Sequence, residues 1–77
     1  NPFNPTTTIR FSVETNTVVT LQLFDISGKL VTTLLDKIIE RGTHKIQWNG
    51  SNQPSGIYFA VLQSGSHVET QKLILLK

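Results

Sequence analysis

The stretch VVTLQLFDISGKLVTTLL, residues 18–35, contains two predicted strands joined by a tight turn. In its first half, apolar residues at every second position alternate with polar ones, the pattern of a half-buried strand. The apolar positions are Val19, Leu21 and Leu23. DISG then predicts a hairpin turn, because Asp25 at the first position can cap its own turn and Gly28 supplies positive φ.

The second half, KLVTTLL, predicts a third strand whose phase is irregular, since its leucines and valine do not alternate cleanly. A β-bulge near Thr32–Thr33 reconciles them with one buried face. We expect DKIIERG, residues 36–42, to be a loop with at most one helical turn.

The same alternation recurs along the rest of the chain and predicts an all-β fold. TIRFSV (8–13), HKIQW (44–48), GIYFAVLQSG (56–65) and HVETQKLILL (67–76) are the further predicted strands, the last as one strand or two. Val, Ile and Thr total 23 residues against one alanine, which favours strands over helices. Six or seven short strands at spacings near ten residues are typical of an antiparallel sandwich or barrel.

Composition excludes several classes of function. The seven basic residues are scattered and the net charge is only +2, so we expect no nucleic-acid partner. The longest apolar run is LILL, residues 73–76, far short of the roughly 20 residues a membrane helix needs, so we expect no membrane insertion. Without cysteine there is neither a disulfide nor a thiolate metal site.

Residue types that carry chemistry occur singly, and we expect no enzyme activity and no cofactor. His44 and His67 lie 23 positions apart with no third ligand nearby in sequence, so no zinc site is predicted. Asp36 and Glu40 alone cannot supply the six to eight oxygens of a calcium site. Asp25 is explained by its turn.

The segment NPFNP, residues 1–5, is interpreted as a stiff linker, because each proline removes a backbone donor and favours extended geometry before it. The folded domain is then residues 6–77. Since the chain contains no methionine, we expect Asn1 not to be a translation start and a larger protein to lie upstream.

Four blocks of the chain together resemble the C-terminal sorting domain of the type IX (Por) secretion system. NPFNPTTTIRFSV, residues 1–13, is similar to the family's opening pattern N-P-x-N-P-x-T-x-I-x-F. Residues 19–34, 42–65 and 72–77 resemble its later blocks: VTLQLFDISGKLVTTL, GTHKIQWNGSNQPSGIYFAVLQSG and KLILLK. The blocks occur in the family's order and cover the whole chain.

The resemblance implies an immunoglobulin-like antiparallel β-sandwich, a fold similar to that of a domain of flagellar hook-capping proteins. It implies a non-catalytic C-terminal sorting signal that directs a larger secreted protein through the type IX outer-membrane translocon, often for attachment to the cell surface. The implied partners are translocon proteins, a sortase-like peptidase and the covalently linked upstream cargo. The cargo passes through the periplasm, and Lys77 is expected at or near the natural C-terminus.

The resemblance also directs attention to the last strand and to the strand GIYFAVL. The candidate recognition residues are Phe59, Lys72, Leu73, Ile74, Leu75, Leu76 and Lys77. Alternation puts Leu73 and Leu75 on one face and Ile74 and Leu76 on the other. Two interpretations of the last strand are open: it is buried on both faces, or it forms part of the surface that the translocon recognises.

In GIYFAVL, Tyr58, Ala60 and Leu62 are expected to face the core, with Tyr58 forming a tyrosine corner. Ile57, Phe59 and Val61 face the other side. There they are either covered by the 36–42 segment through Ile38 and Ile39, or they form a docking surface.

An alternative function is an accessory immunoglobulin-like spacer or a carbohydrate-binding module of a secreted enzyme. Carbohydrate binding requires exposed planar aromatic side chains that stack on sugar rings. Trp48 is the only tryptophan, and alternation with Ile46 points it inward. The sequence therefore favours the sorting signal.

Overall fold

A computed structural model of the chain describes residues 6–76, which form six antiparallel β-strands and no helix. The strands are β1 (Thr6–Val13), β2 (Thr17–Asp25), β3 (Leu30–Ile39), β4 (Gly42–Asn49), β5 (Gly56–Ser64) and β6 (His67–Leu75). β1 and β4 form a two-stranded sheet, and the other four form a sheet in the order β3-β2-β5-β6. The fold is thus all-β and consistent with a small immunoglobulin-like sandwich, as predicted. The linker predicted at residues 1–5 lies outside the described residues.

The core lies between the two sheets and contains the inward positions that the alternation predicted, together with Leu35 and Ile39 of β3, which it did not predict. Its 14 buried side chains are all hydrophobic: Ile9, Phe11, Val13, Val19, Leu21, Leu23, Leu35, Ile39, Trp48, Tyr58, Ala60, Leu62, Leu73 and Leu75. No polar or charged residue is buried among the described residues. Removal of this apolar surface from water is the main source of stability for a domain of this size.

β3 confirms one prediction and corrects another. The β2–β3 register shifts twice, because Val31 and Leu34 have no partner residue on β2. These two irregularities lie on either side of Thr32–Thr33, near which a bulge was predicted. The prediction of a loop at residues 36–42 is wrong, because β3 continues to Ile39 and only residues 40 and 41 connect it to β4. β2 extends back to Thr17, which pairs with Ile39, and this pairing holds the segment extended.

The turn between β2 and β3 is held by one carboxylate. Asp25 Oδ1 accepts hydrogen bonds from the Ser27 amide at 2.9 Å, the Ser27 hydroxyl at 2.6 Å and the Lys29 amide at 3.0 Å. Gly28 has φ of 88°, the left-handed conformation that favours glycine. The predicted turn-capping role of Asp25 is confirmed.

We expect this turn to make stability depend on pH in the acid range. The Ser27 hydroxyl and then the Lys29 amide stabilise the charged form and lower the pKa of Asp25 below its ordinary value. A lowered pKa in the folded state contributes stability above the unfolded-state pKa, and that contribution is lost as pH falls through the folded-state pKa. Asp25→Ala should therefore lower the melting temperature at pH 7, and the difference from wild type should shrink toward pH 2. A difference independent of pH would show that the charge on Asp25 does not stabilise the turn.

Tyr58 forms the predicted tyrosine corner at the start of β5. Its hydroxyl donates to the Pro54 carbonyl at 2.6 Å, and its ring is buried. The ring packs edge-on against Trp48, with ring centroids 5.0 Å apart and an interplanar angle of 65°. The aromatic pair ties the connection between β4 and β5 to the core.

Candidate recognition surface

The two sheets differ in the face that each turns to solvent. On the outer face of the β1–β4 sheet the side chains are polar or charged, and the register pairs Arg10 with Lys45 and Ser12 with Thr43. The Ser12 and Thr43 hydroxyls lie 3.1 Å apart. This face is that of an ordinary solvated sheet.

The outer face of the four-stranded sheet is instead apolar at one end. There the register places Leu30, Phe24 and Phe59 side by side across three strands, and Ile57 beside Ile74 in the adjacent row. Direct cross-strand neighbours have Cβ atoms about 4.5–5.5 Å apart, so the register places these side chains next to one another on this face. We call these five residues the outer apolar patch.

The patch is accessible to a partner. Leu30 and Ile74 are 46% and 61% exposed, and the other three side chains are half-buried by their neighbours. Lys72 lies directly opposite Phe59 at the edge of the patch and makes no ion pair within residues 6–76. Exposed apolar side chains grouped at one end of a sheet make this face a candidate interaction surface.

The structure divides the predicted recognition residues into two groups. Leu73 and Leu75 are core residues, 6% and 2% exposed, so a partner cannot read them without unfolding β6. The side chains of Lys72, Ile74 and Leu76 are exposed. β6 is one continuous strand in which only Leu73 and Leu75 are buried, so burial of its end on both faces is excluded. Lys77 lies outside the described residues.

Phe59 is brought beside Lys72, and the structure adds patch residues that the sequence analysis did not propose. Phe24 and Leu30 belong to the β2–β3 hairpin, for which the alternation was interpreted only at Val19, Leu21 and Leu23. The one signal in the sequence is Phe24, an apolar residue at a position that alternation turns outward. That Phe24 lies beside Phe59 could not be inferred, because alternation within each strand does not give the order of the strands.

The segment that was expected to cover Phe59 and Val61, residues 36–42, does not lie over them. Ile39 packs in the core at 8% exposure, while Ile38 is 71% exposed at the opposite end of the outer face, where it pairs with Val18. Strand alternation in β3 separates these two isoleucines, which a loop would have allowed to point the same way. The predicted cover by residues 36–42 is therefore wrong, and a docking surface on this face stays a prediction.

The described residues offer few groups for chemistry. No cluster of three or more His, Cys, Asp or Glu in residues 6–76 could hold a metal ion. His44 is half-buried and stacks on Phe11 with ring centroids 5.5 Å apart, and His67 is exposed and paired with Glu69 at 2.7 Å. A search of the same residues for a helix long and apolar enough to cross a bilayer finds none.

Comparison with known proteins gives one family. The family model described as "Secretion system C-terminal sorting domain" matches residues 1–76. No curated protein and no solved structure matches the chain.

Proposed function

This chain belongs to the family of secretion system C-terminal sorting domains, and from that premise we propose that its outer apolar patch is the surface by which the signal is read. The domain is a C-terminal sorting signal of the type IX secretion system, attached to an upstream cargo that is secreted or displayed at the cell surface. The observation that supports the patch is its exposure at one end of a sheet whose opposite side forms the core.

A folded signal must be recognised through its surface, which excludes Leu73 and Leu75 as direct contacts. The outward residues near the C-terminal end of β6 are Lys72, Ile74 and Leu76, and the register joins two of them to the patch. Aromatic and large apolar side chains at the centre of a contact contribute most of the binding free energy in typical interfaces. Phe24, Phe59 and Ile74 are the residues of this kind, and Lys72 supplies a charge at the rim.

The partners of the patch are translocon proteins on the periplasmic side of the outer membrane, where the cargo arrives before export. A sortase-like peptidase acts on the chain just before Asn1, upstream of the Asn-Pro segment at residues 1–5. The domain itself takes no catalytic part. Its contribution is a rigid, apolar surface carried by the cargo.

The spacer or carbohydrate-binding alternative receives no support from the aromatic residues. Trp48 is 5% exposed and Tyr58 is 4% exposed, and they pack on each other, so neither ring is available to stack on a sugar. Phe24 and Phe59 are half-buried and lack a polar group to orient a sugar hydroxyl.

The function is tested by export of a reporter. Residues 1–77 are fused behind a reporter that carries an inner-membrane signal peptide, and the fusion is expressed in a type IX-competent host and in an isogenic strain without the translocon. We expect the reporter in the medium or on the surface only in the competent host. The reporter without the domain is the control. Retention of the fusion in both strains would contradict the proposal.

A further inference from the structure

β6 ends the four-stranded sheet, so one side of its backbone has no partner strand among residues 6–76. The Asp25 amide donates to the Lys29 carbonyl at 2.9 Å, on the β3 side, so the alternate residue Phe24 bonds toward β5. Because Phe24 pairs with Phe59, the backbone of the adjacent residue, Tyr58, points toward β6, where it pairs with Leu73. The β6 residues whose amide and carbonyl point away from β5 are Val68, Thr70, Lys72 and Ile74.

This edge is regular, unlike the opposite edge of the same sheet. The β5–β6 register runs without a shift from Gly56↔Leu75 to Ser64↔His67. On β3, by contrast, the two bulges interrupt the ladder. Bulges, prolines and charged side chains are how edge strands avoid pairing with other chains; β6 has no bulge and no proline, and its acidic and basic residues are Glu69 and Lys72. Its nine residues are a ready template for one more strand.

β6 faces β1 of the other sheet across a small cavity of about 50 Å³. Arg10 of β1 and Glu69 and Gln71 of β6 line this cavity, and its apolar lining residues are buried in the core. Among the described residues β1 pairs only with β4, so no backbone pairing closes the sandwich between β1 and β6. A strand added to β6 would continue the four-stranded sheet beyond this edge.

We propose that an extended segment of a translocon protein adds to β6 as a fifth strand of this sheet. The inference rests on the proposed function and deepens it. The backbone groups of Val68, Thr70, Lys72 and Ile74 supply the hydrogen bonds. The segment carries an acidic side chain beside Lys72, which makes no ion pair among the described residues.

A second copy of the chain fits this edge less well than a foreign strand. The outward positions of β6 are Val68, Thr70, Lys72 and Ile74, and none of them is acidic. Pairing of β6 with another β6 would therefore place no acidic side chain beside Lys72. A foreign strand can supply one.

The test separates the backbone edge from the side chains. Thr70→Pro removes an outward amide that bonds to no residue of the sheet, and prolines are tolerated at such edge positions. We expect the variant to fold and export of the reporter fusion to fall at least tenfold. Thr70→Ala, the matched control, keeps the amide and should be exported like wild type. A folded Thr70→Pro that is exported normally would overturn the proposal.

Two further measurements cover the other outcomes. If Thr70→Pro does not fold, Thr70→Cys decides, since the chain has no other cysteine. Its thiol should cross-link to a translocon protein, while Thr8→Cys on the polar face should not, and no cross-link at position 70 would overturn the proposal. A wild-type dimer in sedimentation that Thr70→Pro converts to monomer would assign the edge to a second copy instead. Failure of the wild-type fusion to be exported would contradict the sorting function itself and is thereby distinguished.

Discussion

Trp48→Ala is expected to destabilise the domain by about 3–5 kcal/mol, the usual cost of removing a large buried aromatic side chain. The indole is 5% exposed and lies edge-on to Tyr58 at 5.0 Å. Its loss leaves a cavity and removes the support of the tyrosine corner. Small domains have about 5–15 kcal/mol in total, so the variant loses a large fraction of its stability.

Chemical denaturation monitored by circular dichroism measures this loss, because the variant lacks the tryptophan signal. Gln47→Ala is the matched control, as Gln47 is the exposed neighbour on the same strand and should change stability by no more than about 0.5 kcal/mol. Equal stability of Trp48→Ala and wild type would show that the indole is outside the core, and would restore the carbohydrate-binding alternative.

The parts of the fold that depend on local patterns could be predicted from sequence. Alternation in TIRFSV and VVTLQLF placed Ile9, Phe11, Val19 and Leu21 in the core, because a strand turns every second side chain to one face. The Asp25 turn could be predicted because its hydrogen bonds span only four residues. The tyrosine corner followed from the position of Tyr58 at a strand entry.

The parts that depend on pairing between distant strands could not be predicted. Residues 36–42 were expected in a loop, yet pairing of Thr17 with Ile39 extends β3 to Ile39. The outer apolar patch combines residues of β2, β3, β5 and β6, and only the strand order brings them together. Recognition was expected along the whole of residues 72–77, whereas the pleat hides Leu73 and Leu75 in the core.

Ile74→Ser is expected to reduce export of the reporter fusion about tenfold or more while leaving the fold intact. Ile74 is 61% exposed in the patch, so its loss costs little core packing. A loss of about 1.4 kcal/mol in binding to the translocon is sufficient for a tenfold effect on affinity. Ile38→Ser is a closely matched control. It is the same substitution at an exposed isoleucine, 71% exposed, on the same outer face, and it also lies on an edge strand.

The most direct test of recognition through the outer apolar patch is the ratio of exported to retained reporter for Ile74→Ser and Ile38→Ser, measured side by side. Melting temperatures of both variants near that of wild type establish that each domain is folded. A ratio reduced at least tenfold for Ile74→Ser and unchanged for Ile38→Ser is the result that we predict. Equal export of the two folded variants, at the wild-type level, would contradict recognition through the patch.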